Sequence, residues 1–405
     1  MPRPYLFDTD LPEVIIKTLR LNKKEDRRIR RGHPWVFSNE IEGKLSGIEP
    51  GDIVGVSDHA GRPVGTGYAN PRSLIAVRIL ARHGEEIGRE LVTERVRQAR
   101  RMRELFYPGR DTYRAVFSES DLLPGLVVDR YSGWLSVQSL TAGIERMLPE
   151  VISALVEVYA PEGIVLRNDS RQRQLEGLPV EKKLAQGELP ERLVVELAGL
   201  KFSVDLMGGQ KTGFFLDQVD NYSLLDKVAN GAEVLDLFCH TGAWSLYAAK
   251  AGARAVTGVD SSAHALGTAA VNAGLNGMTD RVGFVEDDAF KALKRLTAGG
   301  RTYGVVVSDP PSFIKSRAKL AEGLKGYRDI NTKVIAAVRP GGFLVSCSCS
   351  HHMDRREFLE VLRSSASGAG RTVRLIEMRS QSKDHPVLVA APETEYLKSA
   401  LLQVL

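Results

Sequence analysis

From residue 230 onward, apolar β-branched runs alternate with stretches of helical character, and this alternation constrains the fold more than any other feature. The run 234–238 precedes a predicted helix over about 243–251, and the run 255–260 precedes one over about 262–274. The run 282–285 leads through Asp287 and Asp288 into a helix from about 289. The run 304–309 follows, then a helix ending near 338, and Pro340-Gly341-Gly342 launches a strand over 343–349. Strands that alternate with helices predict an α/β fold, a parallel Rossmann-like sheet with helices on both faces.

In such a sheet a ligand sits at the carboxyl ends of the strands. Here the successive strands end on, or just before, Asp236, Asp260, Asp287-Asp288, Asp309 and Cys349. An acid at a strand end also caps the next helix, and each one alone is open to that reading. A series of them in consecutive units predicts one shared site.

The loop after the first strand is Phe238-Cys239-His240-Thr241-Gly242. It has one glycine, so it lacks the G-x-G-x-x-G that lets a backbone approach a pyrophosphate, and the chain has no G-x-x-x-x-G-K-[ST]. S-adenosylmethionine carries no phosphate. It offers two ribose hydroxyls, an adenine amine and an ammonium, and strand-end carboxylates suit those donors. Asp260 lies 24 residues after Asp236, near the ~20-residue offset of a ribose-binding acid. Asp288 is then expected at the adenine amine and Asp236 near the methionine ammonium.

Asp309-Pro310-Pro311-Ser312-Phe313 leaves its strand rigidly, because two prolines fix φ and forbid further pairing. An aromatic stacks on a base and an acid binds the polar edge of one, so the motif suits a flipped nucleobase. Carbon 5 of cytosine is a poor nucleophile until a thiolate adds at carbon 6. Cys349 and Asp309, at neighbouring strand ends, supply the thiol and the acid. Cys347 has the same side-chain parity one pleat deeper and is the less exposed candidate.

Three cysteines in 405 residues, two of them flanking one residue, do not make a disulfide framework. No apolar run reaches the ~18–20 residues of a membrane span, and residues 1–13 lack a signal pattern. A cytosolic chain with no membrane association is expected. His351-His352 point apart and have no evident third ligand, so no metal is expected. The net charge of +5 is mild, but its distribution is uneven. Residues 1–110 carry 21 Lys and Arg against 15 Asp and Glu, which accounts for the whole excess. Short strand-like runs over 14–83 predict a β-barrel module, and a helix rich in Arg and Glu is predicted over 84–110. Together they are expected to supply phosphate affinity that falls with salt. A mixed region to 195, polar and loop-rich over 168–192, precedes the α/β part. The expected division is therefore 14–83, 84–195 and 196–405.

Several segments together resemble the bacterial 23S ribosomal RNA cytosine-C5 methyltransferases of the large subunit methyltransferase I type. They are the Asp309 motif, Gly326-Tyr327-Arg328-Asp329-Ile330-Asn331 and Ser348-Cys349-Ser350. Gly32-His33-Pro34-Trp35-Val36-Phe37-Ser38 resembles the start of that family's PUA domain, and Glu119 through Arg130 its central α+β domain. Lys211 through Gln218 resembles the segment entering the cofactor site, and Asp384-His385-Pro386 the C-terminal loop. The resemblance implies ribosomal RNA as partner and S-adenosylmethionine as cofactor. It implies Cys349 as nucleophile, Asp309 as the acid beside the base, and Asp236, Asp260 and Asp288 as cofactor contacts. Phe215, Gln218, Phe238, Thr241, Gly242 and Asp287 complete the expected cofactor site, which Asp309 also borders. The chain departs from the family at Val219, Cys239-His240, His351-His352 and Leu122. Two other functions fit the same pattern: a methyltransferase for a ring nitrogen such as guanine N7, and a non-catalytic RNA-binding assembly factor. A homodimer is compatible with the sequence, which does not fix oligomeric state.

Overall fold

A seven-stranded sheet organises the second half of the chain in the computed structural model, which describes residues 17–82, 85–209 and 212–405. Residues 1–13, the first residues of the expected 14–83 module and Lys211 of the cofactor-site segment lie outside the described residues.

The N-terminal sheet contains β1 (Thr18–Arg20), β2 (Trp35–Phe37), β3 (Ile53–Ser57), β4 (Pro63–Ala69) and β5 (Ile75–Ala81), in the order β1-β3-β4-β5-β2. A short helix, α1 (Asp26–Arg30), turns Ile29 into a core shared with Leu21, Val36, Val54 and Val77. An 18-residue helix, α2 (Arg89–Phe106), leads to the central sheet. That sheet holds β6 (Thr112–Phe117), β7 (Leu126–Tyr131), β8 (Trp134–Ser139) and β9 (Gly163–Asn168), with α3 (Ala142–Arg146) and α4 (Leu148–Tyr159) between β8 and β9. The helix expected around 145–159 is thus two helices, divided at Met147 with Pro149 in the first turn of the second.

The stretch 168–192 is more ordered than its composition suggests. It forms α5 (Arg171–Leu175) and an edge strand, β10 (Glu181–Gln186), which pairs antiparallel with β9. The side chains of β10 are exposed on both faces apart from the half-buried Leu184. Backbone pairing holds this strand without an apolar alternation to announce it.

A two-stranded ribbon, β11 (Leu193–Leu197) with β12 (Leu200–Val204), leads to the C-terminal half. There β13 (Glu233–Leu237), α6 (Ala243–Lys250), β14 (Ala255–Asp260), α7 (Ala263–Leu275), β15 (Val282–Glu286), α8 (Ala289–Leu296), β16 (Tyr303–Ser308), α9 (Leu320–Ala337), β17 (Val338–Ser348), α10 (Arg355–Gly368), β18 (Val373–Arg379) and β19 (Lys398–Val404) follow in sequence. The spatial order is β15-β14-β13-β16-β17-β19-β18. The first five strands are parallel, and β19 runs antiparallel to both β17 and β18. The order in which strands are added reverses between the parallel neighbours β13 and β16, and this is the position at which open α/β sheets bind ligands. The Pro340-Gly341-Gly342 turn lies inside β17, where the pairing with β16 shifts register. One core packs on each face of the sheet, as an α/β layer structure requires.

Buried polar contacts join the layers. Tyr68 of β4 donates to the Pro124 carbonyl, accepts from Thr141 Oγ1 at 3.0 Å and lies against Gly143, where an added Cβ would fall 1.9 Å from the ring. Arg78 pairs with Glu176 at 2.9 Å, both buried. Arg114 pairs with Asp129, which also accepts from Thr212. The arginines of α2 are balanced rather than free: Arg89 and Arg97 pair with Glu157, Arg100 with Glu104, Arg101 with Glu94 and buried Arg103 with Asp121, while buried Arg95 donates to the Leu80 and Leu122 carbonyls. Arg95 and Arg103 are buried in packing the helix, whereas Arg89, Arg97 and Arg101 stay exposed in their pairs. Among the described residues no helix is long and apolar enough to cross a membrane.

Candidate active site

The loop after β13 carries three residues with positive φ: Phe238 at 64°, His240 at 49° and Gly242 at 82°. Two are not glycine, and such backbone persists only where its surroundings hold it. Those surroundings are specific. Cys239 N donates to Val259 O at 3.0 Å, His240 N to Asp260 Oδ2 at 2.9 Å and Gly242 N to Cys239 O at 2.8 Å. Asn272 of α7 donates to Thr241 O at 3.0 Å. A Cβ on Gly242 would meet Phe284 at 3.0 Å and Ala269 at 3.2 Å. The single glycine in the loop is therefore demanded by both space and backbone.

Asp236 is fully buried in the middle of this edge. Its Oδ2 accepts from Ser245 Oγ at 2.6 Å, and its Oδ1 has no hydrogen-bond partner. Burial, with the nearby Asp309 and Asp260 carboxylates, pushes its pKa up to about 8. Asp260 braces the loop through Oδ2 and the start of α7 through Oδ1, which accepts from Ser262 N at 2.9 Å. Asp309 Oδ2 accepts from Gln218 Nε2 at 2.9 Å and from Trp244 Nε1 at 3.1 Å. Phe215 meets His240 edge to face, with ring centroids 5.0 Å apart.

The structure thus gathers Phe215, Gln218, Asp236, Phe238, Thr241, Gly242, Asp260 and Asp309 around the carboxyl ends of β13, β14 and β16. Asp287 and Asp288 stand one strand further out. Asp287 N donates to Asp260 O at 3.0 Å, and its carboxylate pairs with Arg295 at 2.9 Å. Exposed Asp288 caps α8, accepting from Phe290 N and Lys291 N at 3.1 Å. For this residue the capping role is real.

On the other side of Asp309, Cys349 follows the end of β17 and is partly exposed. Cys347 is fully buried with its sulfur 3.2 Å from Ser399 Oγ, and burial pushes its thiol far above the ordinary range. Cys239 is likewise buried and raised, packed where a Cβ on Gly258 would fall 3.0 Å from its sulfur. Tyr327 of α9 packs on Phe313 at 4.8 Å, and burial pushes it up to about 12, so it stays neutral at ordinary pH. His351 and His352 are both exposed, and His351 stacks on Tyr396 at 5.1 Å.

Sequence reasoning missed Trp244, Ser245, Asn221 and Lys398. The first two occupy the opening turn of α6, directly after Gly242, and that position was the signal available. Lys398 stands alone in an otherwise apolar run from Leu397 to Leu402, broken only by Ser399, and a lone charge at a strand start was the signal there.

Three acids converge on a buried carboxylate oxygen that lacks a partner. This edge calls for a cation with hydroxyl and amine donors, and S-adenosylmethionine, with its ammonium, sulfonium and ribose, fits that donor set. Fold and site together define an S-adenosylmethionine-dependent methyltransferase behind a PUA-like module. Residues 167–387 match the model of the S-adenosylmethionine-dependent methyltransferase family, and residues 19–82 that of a PUA-like domain. The chain belongs to the family of ribosomal RNA large subunit methyltransferases I. It is 39% identical over 391 residues to the member from Shewanella amazonensis, covering 95% of this chain and 99% of that one. The member from Vibrio vulnificus is 36% identical over 391 residues, covering 95% and 98%. Among solved structures, a chain from Streptococcus mutans described as a SAM-dependent methyltransferase superposes with a TM-score of 0.83 at 20% identity, covering 96% of this chain and 100% of that one. A methyltransferase complexed with SAH superposes equally well at 19% identity, covering 96% and 100%. These two likenesses are of fold.

Proposed function

We propose that this chain methylates large-subunit ribosomal RNA and converts a cytosine of 23S rRNA to 5-methylcytosine through a covalent adduct between Cys349 and carbon 6. The observation that carries this reading is the position of Cys349. It is the one partly exposed thiol of the three, and it stands one strand from Asp309. The names of the 39%-identical relatives support ribosomal RNA as substrate, and the PUA-like module supports RNA binding. The division into 14–83, 84–195 and 196–405 is part of the same reading: RNA module, spacer and catalytic domain.

The cofactor supplies an electrophilic methyl group on a sulfonium. Asp236 would hold its ammonium, and Asp260 its ribose hydroxyls. Phe215, Phe238, Thr241 and Gly242 would wall the site, and Asp287 and Asp288 would border the adenine. Gln218 fixes Asp309, which takes up a proton as the base enters and donates it in a hydrogen bond to ring N3 while the Cys349 thiolate forms its bond to carbon 6. The electron pair displaced by that bond makes carbon 5 an enamine carbon, nucleophilic enough to take the methyl group. A base then removes the carbon 5 proton, the S–C6 bond breaks, and the thiolate leaves with its electron pair. Extrusion of the base from any stack is required for this geometry.

The test incubates tritiated S-adenosylmethionine with unmodified ribosomal RNA and either the wild type or Cys349→Ala, then identifies the labelled nucleoside. Label in 5-methylcytidine that disappears in the variant, with cofactor binding retained, is the expected result. Label in 7-methylguanosine, or label indifferent to the substitution, would refute the cysteine mechanism.

A further inference from the structure

Lys398 opens β19 and stands directly across the ladder from Ser348, the last residue of β17 before Cys349. It is 5% exposed. Its Nζ donates to Ser350 O at 2.6 Å and to Tyr396 O at 2.7 Å. The first acceptor belongs to the residue that follows Cys349, so the ammonium is moored to the backbone that carries the thiol. Among the described residues no carboxylate forms an ion pair with it; Glu395, Asp354 and Glu357 act on it only at longer range. A buried cation whose hydrogen-bond acceptors are neutral carbonyls is costly, and burial pushes its pKa down to about 8. Of the charges that oppose that fall, the Cys349 thiolate acts most strongly.

Cys349 has the opposite need. Asp309 lies on the neighbouring strand, and a thiolate beside a carboxylate is disfavoured unless a cation offsets both. The flanking tyrosines 327 and 396, which also sense the Cys349 charge, are neutral.

We propose that Lys398 is the positioning residue of Cys349: its ammonium, moored to the Ser350 and Tyr396 carbonyls, holds the sulfur as a thiolate ready for addition. This rests on Cys349 being the nucleophile. Above the lysine's own titration the neutral amine accepts the thiol proton, giving the same thiolate–ammonium pair; below it the proton leaves to solvent. In either case the sulfur lone pair remains for the bond to carbon 6, and the ammonium is present again when that bond breaks.

The test follows alkylation of Cys349 by iodoacetamide against pH, peptide by peptide, in the full chain without cofactor or RNA. Wild type is compared with Lys398→Met and Lys398→Gln. Methionine replaces a buried cation by an apolar chain of similar length, a change that is often tolerated. Glutamine keeps a donor without the charge, so either folded variant decides the outcome. The alkylation midpoint is expected to rise by about one pH unit or more when the charge is removed, and Lys398→Arg should restore most of it. An unchanged midpoint, with Cys349→Ala still inactive in methyl transfer, overturns the role of Lys398 and leaves the nucleophile intact. Methyl transfer that survives Cys349→Ala removes the nucleophile itself, and the proposal falls with it.

Discussion

Gln218 spans the gap between the segment before the parallel sheet and Asp309 at the end of β16. Its Nε2 donates to Asp309 Oδ2 at 2.9 Å, and its Oε1 accepts from Asn221 Nδ2 at 2.8 Å. Both ends of the amide are used, so its orientation is fixed and Asp309 is held in one place. Loss of one hydrogen bond to a charged group costs about 1.5–3 kcal/mol. Gln218→Ala should therefore slow single-turnover methyl transfer roughly 10- to 100-fold. Gln218→Glu, which adds a like charge beside Asp309, should be worse. A rate for the alanine variant within twofold of wild type would exclude the strut.

Cofactor binding should depend on pH through Asp236. Its pKa is pushed up to about 8, so at pH 7 it is mostly protonated and must release a proton to meet an ammonium. Affinity should rise up to about tenfold per pH unit from pH 6 toward 8 and then level off. Calorimetry in buffers of different ionisation enthalpy should register the released proton.

The same shift has an opposite sign for stability. A carboxyl whose pKa is raised on folding favours the folded state below its unfolded value near 4, and that contribution is lost as pH climbs through about 8. Asp236→Asn should thus protect the cofactor-free protein above pH 8 while weakening cofactor binding. Thermal melts across pH 5–9 would check this.

Arg114 and Asp129 form a nearly buried pair, with Arg114 Nε 2.5 Å from Asp129 Oδ1 and Nη2 3.0 Å from Oδ2. Asp129→Ala leaves a buried guanidinium without its counter-charge and should cost about 3–5 kcal/mol. Replacing both residues by Leu and Met should cost less. Urea denaturation midpoints would separate the two cases.

RNA affinity should depend on α1 and its flanks rather than on α2. Lys23, Lys24, Arg27 and Arg31 are exposed, and among the described residues none of them forms an ion pair. Replacing all four by Gln should flatten the slope of log affinity against log salt by up to about 0.7–0.9 for each phosphate that no longer meets a cation. Replacing Arg97 and Arg101, both already paired on α2, should change little. Filter binding at several salt concentrations decides between the two surfaces.

Much of the fold was local information. The strands β13 to β17 announce themselves as β-branched runs, and the helices between them by length and by the glycine and capping residues at their starts. The acids at the strand ends could be located from that alternation, and Gly242 could be singled out because the loop contains no other glycine. The edge strands β10 and β18 were illegible for the converse reason: exposed on most of their length, they bury too little to impose an apolar period on their sequence. The partners of the α2 arginines were illegible because sequence counts arginines, whereas only the packed structure shows which acids they face.

What tertiary structure alone decided is which distant side chains meet. Gln218 and Asp309 are 91 positions apart, and Trp244 and Asp309 are 65 apart. Lys398 reaches the backbone beside Cys349 only because β19 inserts antiparallel between β17 and β18. The sequence determined the five parallel strands, their order of appearance and the acid or cysteine at each of their ends, because those depend on period and propensity along the chain. The sheet order and the buried partners of each charge depend on how the layers close over one another. That closure raised the proton affinity of Asp236 and brought Lys398 to the Ser350 carbonyl, one residue after Cys349.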